Sequence, residues 1–207
     1  MNPEPCPSPP IGILLAAGAG TRFGGGKLLA PLQGKPLALH ALAALQTAVD
    51  EVVAVVRPGD DALHAVLRDA GARLIVCPRA TEGMGFSLAC AARQIPARLN
   101  VLVALGDMPA IAPGTVRAVR DALDAGIGIA VPVHSSARGH PVGFAARFVP
   151  ALTNLRADQG ARALLRQHAD QVQEVPVDDA GILTDIDTAA DLAAADSPRN
   201  APRSRSH

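Results

Sequence analysis

The feature that most constrains this chain is the regular alternation of short, near-continuous apolar runs with Ala/Leu-rich helical patterns. Runs at residues 11–16, 51–57, 73–76, 100–105, 127–133, 142–145 and 172–176 read as strands. Between and after them, residues 36–49, 60–70, 84–95, 113–125, 146–153, 158–168 and 188–195 read as helices. Strands that are apolar along their whole length are buried on both faces, and strand–helix alternation builds a parallel sheet covered on both sides. The expected fold is therefore α/β: a three-layer α/β/α sandwich with a Rossmann-like, mostly parallel sheet. The polar turn at 134–141 breaks the rhythm and predicts one antiparallel strand after it.

At 207 residues the chain suits one domain. The pattern fills residues 11–196, leaving a proline-rich tail at 1–10 and a polar tail at 197–207, both expected to be disordered. Lys plus Arg equals Asp plus Glu at 19 each, and Trp and Tyr are absent, so neither an overall field nor stacking platforms exist for nucleic acid. Cys6, Cys77 and Cys90 form an odd, scattered set, which argues against a disulfide framework or a cysteine zinc site. With no leader pattern and no apolar run long enough for a bilayer, the expectation is a cytoplasmic protein without a membrane partner.

In an open α/β sheet the ligand crevice lies beyond the carboxyl ends of the strands. The loop after the first strand carries Gly18, Gly20, Gly24, Gly25 and Gly26 together with Thr21, Arg22 and Lys27. Glycines admit close approach of backbone amides to phosphate, and two cations neutralise a polyphosphate. A Walker loop is excluded because Leu28 follows Lys27. A dinucleotide fingerprint is only approximated, and the second strand runs into Arg57-Pro58-Gly59 without the acidic ribose partner.

Asp107, directly after the fourth strand, is placed to hold a Mg²⁺ that bridges phosphate oxygens, or to act as a turn residue. Asp185 and Asp187 flank Ile186 before the last helix; Asp187 is a candidate second ligand, while Asp187 or Thr188 is equally a helix cap. Three further polar segments border the crevice: Glu82-Gly83-Met84-Gly85-Phe86-Ser87, Arg138-Gly139-His140-Pro141 and Asp158-Gln159-Gly160-Ala161-Arg162.

Taken together, Leu14 to Gly24 with Lys27-Leu28-Leu29, Glu82-Gly83-Met84, Gly106-Asp107-Met108-Pro109, Arg138 to Pro141, Asp158 to Arg162 and Asp185 to Thr188 resemble, in order, the molybdopterin-guanine-dinucleotide-synthase-like nucleotidyltransferases. Within these the chain is most similar to the molybdenum cofactor cytidylyltransferases. The resemblance implies a nucleotide-diphospho-sugar-transferase-like fold and an enzyme moving CMP from CTP to the phosphate of molybdenum-molybdopterin with release of pyrophosphate. It implies nucleotide contacts from Leu15, Ala16, Ala17, Gly18, Gly20, Thr21, Arg22, Lys27, Cys77, Gly83, Ser87 and Asp107, with Arg22, Lys27 and Asp107 catalytic. It further implies Mg²⁺ on Asp107 and Asp187, the acceptor on His140, Asp158, Gln159 and Arg162, and a recipient molybdoenzyme of the xanthine-dehydrogenase type or its chaperone.

The chain departs from the family's pattern at Cys77-Pro78, where relatives commonly have Asn, and at Ala189-Ala190 after the last motif. Ala17 and Gly26 replace a Gly and an Asp that are usual in guanylyl-transferring relatives, and a methyl at Ala17 is expected to narrow the base site toward a pyrimidine. The alternatives are transfer from GTP or to another phosphorylated acceptor, a nicotinamide-dependent oxidoreductase, and a non-catalytic molybdopterin carrier.

Overall fold

The computed structural model describes residues 9–156 and 160–197. Most of both expected tails, and the expected helix start at Asp158, lie outside these residues. In chain order the strands are β1 (Ile11–Leu15), β2 (Pro31–Leu32), β3 (Lys35–Pro36), β4 (Glu51–Val56), β5 (Arg73–Val76), β6 (Val101–Leu105), β7 (Ile129–His134), β8 (Ala137–Arg138), β9 (Val142–Phe144) and β10 (Val172–Pro176). The α-helices are α1 (Leu37–Gln46), α2 (Asp61–Asp69), α3 (Met84–Ala92), α4 (Pro113–Asp124), α5 (Val149–Leu152), α6 (Arg162–Gln167) and α7 (Ala189–Asp196).

The main sheet runs β10-β7-β9-β6-β1-β4-β5, with β8 attached to β7 and β2-β3 forming a separate hairpin. β1 lies between β4 and β6, parallel to both, with Leu15 level with Val55 and Leu105. Side-chain alternation along β1 feeds two cores. Leu14 and Ala16 join the cluster that includes Leu42, Leu63, Leu67, Val116 and Val119, so α1, α2 and α4 cover that face. Ile13 and Leu15 join Leu88, Val149, Leu152 and Leu164, so α3, α5 and α6 cover the other. This is the expected three-layer sandwich.

The antiparallel strand is β9, paired between β6 and β7. A second, two-residue strand, β8, folds back on β7 through Ser135 and Ser136, both at positive φ, the backbone of a tight hairpin. Burial on both faces holds for β1 and for β4 beyond its first residue, but not for β10 or β5, which sit at the sheet edges with half or more of their residues exposed. The first expected helix begins one residue late, at Leu37, because Pro36 has extended ψ and closes the β2-β3 hairpin. The fifth breaks into a 3₁₀ turn, Ala146–Phe148, followed by the single turn of α5, where Pro150 lacks the N–H needed to bond back. Of the sixth, the described residues contain α6, which follows Ala161. Among the described residues no helix is long and apolar enough to cross a membrane.

Candidate active site

Parallel register brings the ends of β1 and β6 side by side, and Gly106 locks them together. Its N–H donates to the Leu15 carbonyl at 2.9 Å, and a Cβ there would come within 3.3 Å of that oxygen. From β1 the chain enters the glycine loop, which folds around the Gly20 carbonyl; this oxygen accepts from the Phe23 and Gly25 N–H groups at 3.0 and 3.1 Å. Gly20 has φ +59° and approaches Lys27 so closely that an added Cβ would lie 3.2 Å from the lysine Cβ. Leu28 is buried in the core and anchors the neighbouring Lys27.

The lysine side chain is only 10% exposed. Its Nζ donates to Asp107 Oδ2 at 2.8 Å and to Asp187 Oδ1 at 3.1 Å, while Arg22 pairs with the second oxygen of Asp187. Burial by itself would lower the ammonium's pKa, but the hydrogen bonds and charges of the two carboxylates together outweigh it and hold the pKa above the ordinary lysine value. Residues 22, 27, 107 and 187 thus meet at one point from three distant parts of the chain.

Several groups fix the Asp187 segment. The Asp107 carbonyl accepts from the Ile186 N–H at 2.9 Å, and Ile186 is buried. Asp179 accepts from Ala112 N–H at 2.9 Å, from the Thr115 hydroxyl at 2.7 Å and from Gly181 N–H at 2.9 Å, tying the segment to the start of α4. At Gly181 a Cβ would fall 2.1 Å from the Ala110 carbonyl oxygen. Thr188 caps α7 through a reciprocal box with Asp191, and the Asp187 side chain pairs with Lys27 and Arg22. Asp185 is exposed.

The remaining expected residues divide. Leu15, Ala16, Ala17, Cys77 and Ser87 are buried. The Cys77 thiol donates toward the Phe86 carbonyl at 3.8 Å and offers no free polar atom to a base. The Ala17 methyl belongs to the same cluster as Cys77 and Leu88. Gly18 and Thr21 are exposed and Gly83 is half-buried. His140 sits beside β6, its Nδ1 3.4 Å from the Val103 carbonyl. Burial pushes its pKa below the usual imidazole value; the Val103 carbonyl and the Asp107 charge oppose this, and the Arg162 charge adds to it. Arg162 is exposed at the start of α6, and Asp158 and Gln159 lie outside the described residues.

Sequence reasoning missed Asp179 and Asp191. An Asp two residues before Gly181 is the signal of an Asx turn, and Thr188 with Asp191 is a capping pair. It also did not single out Arg57, which is held 3.3 Å from Asp60 and lines a small cleft with Gly18, Ala19, Gly26 and Lys27.

Residues 12–172 match the model of the MobA-like NTP transferase domain. The chain belongs to this family. It is 31% identical over 195 residues to the purine catabolism protein PucB of Bacillus subtilis, covering 86% of this chain and 91% of that protein. It is 32% identical over 187 residues to nicotine blue oxidoreductase of Paenarthrobacter nicotinovorans, with the same coverage. It also matches bifunctional GlmU proteins, but spans only 28% of the length of the one from Kineococcus radiotolerans. Among solved structures, Rv0371c of Mycobacterium tuberculosis superposes with TM-score 0.81 at 27% identity, covering 91% of this chain and 97% of that one, and it has also been solved in complex with manganese. The MobA-like nucleotidyltransferase assignment thus rests on most of the described chain, including β1, β6 and the glycine loop.

Proposed function

We propose that this MobA-like protein transfers CMP from CTP to the terminal phosphate of molybdenum-bearing molybdopterin, releasing pyrophosphate. The observation that carries the reading is the meeting of Arg22 and Lys27 with Asp107 and Asp187 at the end of a glycine loop. An acceptor phosphate oxygen bonds to the α-phosphorus as the bond from that phosphorus to the bridging oxygen of pyrophosphate breaks. The acceptor is already ionised, so no strong general base is required. Lys27 and Arg22 neutralise charge growing on the leaving pyrophosphate, and the loop amides hold it in line.

Two carboxylates in reach of one cation are a hard-oxygen donor set, and among the described residues no larger cluster of metal-binding side chains occurs. That suits Mg²⁺, which takes one or two carboxylates and completes its shell with phosphate and water; the manganese complex of Rv0371c is consistent with it. When bound there, the ion would neutralise α-phosphate charge. His140, neutral near pH 7 because burial lowers its pKa, and Arg162 are the described candidates for holding the acceptor, with Asp158 and Gln159 as further candidates. On this reading, residues 11–196 act as one domain in the cytoplasm and pass the product to a molybdoenzyme of the xanthine-dehydrogenase type or its chaperone.

The base preference rests on the subgroup resemblance. Comparing kcat/KM for CTP and GTP with the same pterin acceptor tests it: CTP should lead, and parity or a GTP preference contradicts it. The Paenarthrobacter relative is named an oxidoreductase, and a nicotinamide-dependent oxidoreductase is the second reading. β4 instead leads into Arg57 without an acidic ribose partner, and quenching of NADPH fluorescence by the protein would revive that reading.

A further inference from the structure

The chain contains seventeen arginines and only two lysines, Lys27 and the exposed Lys35. One of the two stands where a cation bridges Asp107 Oδ2 and Asp187 Oδ1, at 2.8 and 3.1 Å. An ammonium is a compact point charge, so it fills a position between two carboxylate oxygens that a small divalent ion bound to both would also need. Arg22 holds the other oxygen of Asp187. Both loop cations are therefore already paired. The four groups sum to zero charge, and a free triphosphate arriving at them meets no excess of positive charge.

We propose that Lys27 is the resting counter-ion of the metal site: it competes with the divalent ion for Asp107 and Asp187 and turns to the triphosphate only once displaced. This deepens the nucleotidyltransferase reading of the same site and rests on it, adding an order of events. A divalent ion on the carboxylates releases Lys27 and Arg22, so each ligand strengthens the other's binding by the same factor. The protein admits the metal–nucleotide complex in preference to either part alone. An arginine at position 27 would be a planar, five-donor group that spreads its charge, which makes lysine the apt residue for a counter-ion that must leave.

The test is a titration with Mn²⁺ alone, read by electron paramagnetic resonance of the free ion, without nucleotide. Lys27→Met, which removes the competitor, should tighten the metal Kd about tenfold relative to the unaltered protein. Lys27→Arg, which keeps a competing cation, should not tighten it. Equal or weaker Mn²⁺ binding by Lys27→Met overturns the proposal. A second measurement needs no variant: acylation by an N-hydroxysuccinimide ester, followed by peptide mass spectrometry, compares Lys27 with Lys35 in the same molecule. Added Mn²⁺ should raise labelling of Lys27 relative to Lys35, whereas an unchanged or lower ratio overturns the proposal. Neither experiment contains nucleotide. Loss of pyrophosphate release with these shifts intact would remove the nucleotidyltransferase reading alone, and the reverse outcome would remove the counter-ion alone.

Discussion

Asp107 follows the end of β6, and His140 sits beside Val103 of the same strand. Asp107 keeps a quarter of its side chain exposed and has Lys27 as partner; the His140 ring has the Val103 carbonyl beside it and feels the charges of Asp107 and Arg162. Because burial holds the folded His140 pKa below its ordinary value of 6.5, the unfolded chain takes up a proton that the folded ring resists. Stability is therefore kept above about pH 6.5 and falls as the pH drops toward the folded value. His140→Gln, which keeps a polar group but cannot titrate, should flatten the decline in Tm between about pH 6.5 and 5. Parallel declines for the variant and the unaltered protein would show that His140 does not contribute. Residue types alone singled out Arg22, Lys27, Asp107 and Asp187, whose side chains the fold brings together. Side-chain direction was not legible: the side chains of Ala17 and Cys77, which follow β1 and β5, are buried.

At the level of elements, the site depends on how residues 177–191 are held, and this segment contains little regular structure. Asp179 bonds to the start of α4, Gly181 packs on the Ala110 carbonyl, and the Thr188–Asp191 box starts α7. Asp191 also accepts from the Asp187 N–H at 3.1 Å, so the cap reaches the backbone of the candidate ligand itself. Thr188→Ala should cost about 1 kcal/mol of stability in denaturant unfolding, the usual worth of an N-cap. It should also weaken Mn²⁺ binding, because Asp187 loses part of its support; a stability loss with unchanged metal binding would separate the cap from the site. The strands and most helices were readable from hydrophobic period, since burial imposes that period on sequence. The β2-β3 hairpin was not, because two-residue strands leave no period to read, and the broken helix at α5 was not, because it turns on Pro150 within a pattern that otherwise reads as helix.

Across the whole molecule, the sheet order explains why residues 80 and 160 positions apart in sequence share one ammonium. β1 and β6 are adjacent parallel strands, so their following loops open on the same edge, and the Ile186-to-Asp107 backbone bond brings the C-terminal segment to it. Alternation predicted the layers, but the order of strands within the sheet was beyond the sequence pattern, because apolar runs of similar length are interchangeable until helices and crossovers choose their neighbours. The central claim is metal-dependent transfer of a nucleotidyl group by this centre. It is tested most directly by incubating the protein with CTP labelled at the α-phosphorus, molybdenum-molybdopterin and Mg²⁺, and following both label and pyrophosphate. The label should move to the pterin with one pyrophosphate released per transfer, and Asp107→Asn should slow this about 100-fold while leaving the fold intact. Absence of label on the pterin, or an Asp107→Asn rate equal to that of the unaltered protein, would contradict it.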